Sequence, residues 1–71
     1  MSNIWTEAET DIVLEVMAKQ RSGLLPIDAG NTSALARAVK HTLWHRLHSE
    51  RTNQAARRKI QKLVNTYVLG Y

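Results

Sequence analysis

The chain of 71 residues has no cysteine, one proline and three glycines. Without cysteine, disulfides and thiolate metal sites are excluded. No apolar run approaches the roughly 20 residues of a membrane span. The N-terminus lacks a basic start followed by an apolar stretch, so no secretory signal is expected. Acids are scarce beyond the first segment, where only Asp28 and Glu50 remain. A paired-carboxylate active site therefore has little support. Ser22, Ser33 and Ser49 lack a recognisable nucleophile context. Gly23 and Gly30 are separated by a proline-containing segment that does not resemble a phosphate-binding loop. The expectation is an intracellular soluble domain with no enzyme activity, no cofactor, no metal and no membrane contact.

The distribution of charge is the positive signal. Residues 1–30 hold Lys19 and Arg21 against Glu7, Glu9, Asp11, Glu15 and Asp28, a net of −3 (2 − 5). Residues 31–71 hold eight basic residues against Glu50 alone, a net of +7 (8 − 1). The sum is the overall +4. A basic half of this kind points to a polyanionic partner more strongly than net charge does.

A chain of this length makes one domain, 1–71, and buries only about 60% of its unfolded surface. No segment alternates with period two, and three segments have helical spacing. The fold expected is all-α, a three-helix bundle with helices over about 6–21, 33–47 and 52–67. Thr6 and Glu9 have the spacing of a capping box, with Trp5 placed before the cap. Ile12, Val13, Val16 and Met17 form the apolar face of the first helix, and Gly23 is positioned to end it. In the connection, Pro26 is incompatible with a helix interior, while Leu24, Leu25 and Ile27 are expected to fold back onto the core. The second helix starts after Asn31, Thr32 or Ser33. Its inward row is Leu35, Val39, Thr42 or Leu43, and Leu47, with Ala36, Ala38 and Trp44 nearby. After a break at residues 48–51, Thr52 caps the third helix, whose inward row is Ala56, Ile60, Leu63, Val64 and Tyr67. Trp5 and Trp44 read as core residues rather than as platforms for stacked bases. Val68-Leu69-Gly70-Tyr71 is an abrupt apolar ending, which suggests a piece of something larger.

The segment Arg51–Leu63, RTNQAARRKIQKL, carries five basic residues and no acid. A helix fits the major groove of B-form DNA, where arginine reaches guanine and Asn or Gln reaches adenine. Base-reading candidates are Gln54, Arg57, Arg58 and Gln61. Phosphate candidates are Arg51, Lys59, Lys62 and Arg46, together with Thr52 and the amide end of its helix. His41, His45 and His48 stand four and three residues apart, a spacing that can present imidazoles to zinc. No cysteine joins them, and they read as helix-surface residues.

Trp5-Thr6-Glu7-Ala8-Glu9 at the start and Arg51-Thr52-Asn53-Gln54-Ala55-Ala56-Arg57-Arg58-Lys59-Ile60 toward the end resemble the Myb/SANT family of three-helix DNA-binding domains. The resemblance implies a helix-turn-helix bundle of Myb or homeodomain type. It also implies Trp5, Trp44 and Ile60 as large core anchors, and recognition roles on Asn53, Gln54, Arg57, Arg58 and Gln61. Implied with these are sequence-specific binding of double-stranded DNA, transcriptional or chromosomal regulation, and a nuclear setting in a eukaryote. Two other functions share these signs. One is a SANT-type module for protein partners. The other is a small cytoplasmic phage or bacterial regulator that pairs with a second copy through Val68, Leu69 and Tyr71.

Overall fold

The computed structural model describes residues 4–28 and 30–67, the last in its backbone alone. Three helices follow one another: α1 (Glu7–Arg21), α2 (Thr32–Leu47) and α3 (Asn53–Tyr67). The described residues contain no strand. α2 packs against both other helices, while α1 and α3 share a smaller contact. None of these helices is long and apolar enough to cross a membrane.

Both ends of α1 and the starts of α2 and α3 follow from local chemistry. At the start of α1 the Glu9 amide donates to Thr6 Oγ1 at 3.1 Å, and the Thr6 amide donates to Glu9 Oε1 at 3.0 Å. That reciprocal pair is the capping box expected from the sequence, and it satisfies two otherwise orphaned donors. At the end of α1 the Leu24 amide donates to the Lys19 carbonyl at 2.8 Å and the Gly23 amide to the Gln20 carbonyl at 3.2 Å. This is the Schellman arrangement, and Gly23 supplies its left-handed residue at φ 84°. Asn31 caps α2 by accepting from the Ala34 amide at 3.2 Å. Thr52 caps α3 by accepting from the Ala55 amide at 3.0 Å. Removal of this last cap in Thr52→Ala is expected to cost about 1 kcal/mol, read as a lower urea midpoint at unchanged slope. Thr52→Ser is expected to keep most of it.

The core is Ile12, Val13, Val16 and Met17 from α1, Leu35, Ala36, Val39 and Leu43 from α2, and Ala56, Ile60 and Leu63 from α3. Trp5, Leu25, Ile27 and Val64 pack against its edge. The side chain of Tyr67, and the whole of Val68–Tyr71, lie outside the described residues.

Three expectations about the core are corrected. Trp44 is 51% exposed and anchors nothing. The inward stripe of α2 runs through Leu35, Val39 and Leu43, and Trp44 lies one residue, about 100°, further round the helix. Leu47 is 41% exposed because it is the last residue of α2, where the core has already ended. Leu24 is also exposed: it follows Gly23 directly in the reversal, and the chain turns inward only at Leu25 and Ile27.

Candidate nucleic-acid interface

α3 separates its two faces by residue type. Ala56, Ile60 and Leu63 face the core, leaving Asn53, Gln54, Arg57, Arg58, Gln61, Lys62 and Asn65 exposed. No acid occurs anywhere in its 15 residues. Arg57, Arg58 and Lys62 form no ion pair among the described residues. Gln61 Nε2 donates to Asn65 Oδ1 at 3.3 Å, a loose bond on the surface.

Besides a groove of about 520 Å³ that meets this face only at Gln61, two open grooves border it. One, of about 590 Å³, lies between α3 and the segment before α1, where Trp5 faces Arg58 and Lys62. The other, of about 380 Å³, lies between α3 and the start of α2, where Thr32 faces Arg57 and Gln61. Gln54 and Arg58 line both, so they form the ridge between the grooves. Trp5 and Thr32 were not singled out as part of this surface by sequence reasoning. The sequence reads Trp5 as a core residue; it touches the core with one side and lines the groove with another. For Thr32, the one local signal was its position directly after the Asn31 cap.

The expected phosphate-binding cations do not share one environment. Arg51 is drawn into a cluster at the opposite end of the chain. Its Nε donates to Glu9 Oε2 at 2.9 Å, and its Nη2 donates to Glu9 Oε1 at 2.7 Å and to the Ile4 carbonyl at 3.1 Å. The guanidinium also lies 4.7 Å from the centre of the Trp5 ring. Ser49 Oγ donates to Glu9 Oε2 at 2.6 Å. Glu9 is only 3% exposed, yet every lone-pair direction on its carboxylate has a donor. The Arg51 hydrogen bonds are the largest influence on its acidity. They outweigh burial and, with Ser49 and Thr6, hold the carboxyl down at about 2 from an ordinary 4.5. This cluster joins the start of α1 to the turn that leads into α3.

Arg46 is paired as well. Its Nη1 donates to Glu15 Oε1 at 2.8 Å, and its Nη2 lies 2.6 Å from Glu15 Oε2, with Lys19 Nζ 3.4 Å from the same oxygen. The Arg46 hydrogen bond, followed by burial acting the other way and by the charges of Arg46 and Lys19, lowers the Glu15 carboxyl. Lys59 Nζ sits 5.8 Å from the Trp5 ring centre, at the rim of the larger groove. Thr52 Oγ1 accepts the α3 capping bond, which leaves its hydroxyl hydrogen available to an outside acceptor.

Of the ten candidate residues, Asn53, Gln54, Arg57, Arg58, Gln61 and Lys62 thus share the exposed face of α3, with Thr52 at its start and Lys59 at its rim. Arg51 lines the larger groove but is held there by Glu9, whereas Arg46 is held by Glu15 away from both grooves. The three histidines do not gather with other ligands into a metal site among the described residues. No family model matches the sequence, and no curated protein or solved structure matches it.

Proposed function

We propose that this domain binds double-stranded DNA with α3 in the major groove. The observation that carries the reading is the continuous exposed face of Gln54, Arg57, Arg58, Gln61 and Lys62, which has no acid on its helix and no internal ion pair to its cations. A helix of 15 residues is about 22 Å long, and its width suits a groove about 12 Å across. Arg57 and Arg58 provide forked donors for guanine, and Asn53, Gln54 and Gln61 the paired donor and acceptor that adenine requires.

Phosphates flank a bound groove on both sides, and the two grooves beside α3 suit them. Lys62 and Lys59 lie along one, with the Thr52 hydroxyl at its end. The start of α2, at Thr32, lies along the other and adds the positive end of a helix dipole. Arg51 is assigned a positioning role, since its guanidinium is occupied by Glu9. The finer description belongs to the same proposal: α2 and α3, joined by the turn at residues 48–52, form a helix-turn-helix of Myb/SANT type serving transcriptional or chromosomal regulation.

Selection from a randomised duplex library, with affinity followed across salt, tests the reading. An enriched motif of a few base pairs supports base readout. Salt-dependent binding without a motif reduces the site to an electrostatic surface, and no binding at low salt overturns the proposal. Lys62→Ala is expected to weaken all duplexes alike and to lower the slope of log affinity against log salt by about one.

A further inference from the structure

We propose that the outward face of α2 around Trp44 docks an acidic protein segment bearing an aromatic or aliphatic anchor residue. This surface is independent of DNA binding by α3. Trp44 is 51% exposed and Leu47, one turn on, is 41% exposed. Together they place one of the domain's two tryptophans and a leucine side by side in water, although Trp44 contributes nothing to the core. Large half-exposed aromatics of this kind are the residues that most often anchor protein interfaces.

Charge identifies the occupant. Arg37, Lys40 and His41 precede Trp44 by seven, four and three residues, which puts them on the same helical stripe. His48 closes the stripe, with its ring edge-on to Trp44 at 5.2 Å between centroids. α2 contains no Asp or Glu in 16 residues. Arg37 and Lys40 have no ion pair among the described residues, whereas Arg46 is held by Glu15. An apolar centre flanked by the unpaired cations Arg37 and Lys40 is complementary to an apolar anchor beside carboxylates. Nucleic acid fits less well. Its phosphates would meet the cations but leave Leu47 without an apolar partner, and no residue from Arg37 to His48 lines either groove beside α3.

The test is a selection of random twelve-residue peptides displayed on phage against the intact immobilised chain. The enriched peptides are then synthesised and their affinities measured. Enrichment of acidic peptides with one or two large apolar residues is expected. Their affinity should fall at least tenfold in Trp44→Ala and in Lys40→Glu, and stay unchanged in Arg58→Ala. Trp44 is exposed, so Trp44→Ala should keep its helical circular dichroism; Lys40→Glu reads the charge requirement separately. The proposal is overturned if nothing enriches, if the enriched peptides lack acidic residues, or if their binding survives both α2 variants. It is equally overturned if Trp44→Ala weakens duplex DNA binding tenfold, since the face would then belong to a nucleic-acid surface.

Discussion

Arg51→Ala is expected to destabilise the domain by about 3–5 kcal/mol, the range for breaking a buried ion pair from one side. The arginine makes two bonds to Glu9 and one to the Ile4 carbonyl, and it covers the Trp5 ring. Its removal leaves a carboxylate that is 3% exposed facing only Ser49 Oγ and the Thr6 amide. Domains of this size have total stabilities toward the low end of roughly 5–15 kcal/mol. The melting temperature should therefore fall by more than about 12 °C, or the chain should fail to fold at 37 °C. A change below about 1 kcal/mol in urea unfolding would show that the cluster contributes little. The same cluster predicts a pH dependence. The Glu9 carboxyl is held at about 2 in the folded chain and returns to 4.5 when unfolded. A depressed folded value stabilises above the unfolded one. The contribution is therefore complete above pH 4.5 and is lost as pH falls toward 2. Its size is about 3 kcal/mol. Glu9→Gln should be less stable at neutral pH and should lose this part of the acid limb, while other carboxylates, Glu15 among them, still titrate.

The features legible in the sequence are those set by neighbours in the chain. Thr6 with Glu9, Gly23, Asn31 and Thr52 each act within four residues, and each boundary lies where that chemistry places it. The apolar face of α1 and the inward residues Ala56, Ile60 and Leu63 of α3 were legible for the same reason, since one helical period decides them. In α2 the inward row was open between Thr42 and Leu43, and Trp44 beside them read as a core residue. The phase was decided by Val39 and Leu35, and the larger side chain was left outside. Long-range pairing gave no signal at all. Glu9 and Arg51 are 42 residues apart, and Glu15 and Arg46 are 31 apart. In the sequence both arginines were simply part of a basic half. Tertiary packing divided that half into cations held by carboxylates of α1 and cations left unpaired on α2 and α3, and the unpaired group is the one free to meet a ligand.

The double variant Arg57→Ala/Arg58→Ala is expected to lose about 2–6 kcal/mol of binding to its selected duplex, if each arginine supplies one bidentate contact of about 1–3 kcal/mol. That corresponds to a loss of roughly 30-fold to 10⁴-fold. Stability should change little, because both side chains are exposed and neither has an ion pair among the described residues. The pattern of the loss matters more than its size. Arg58 forms the ridge between the two grooves, whereas Arg57 lines only the groove shared with Thr32. If both read bases, the double variant should bind selected and scrambled duplexes almost equally, and each single variant should relax preference at a different base pair. If both only neutralise phosphate, selected and scrambled duplexes should weaken in parallel and the salt slope should fall by about two. Retention of full affinity and preference by the double variant would remove α3 as the reading element, because neither α1 nor α2 presents Arg beside Gln on an acid-free helix.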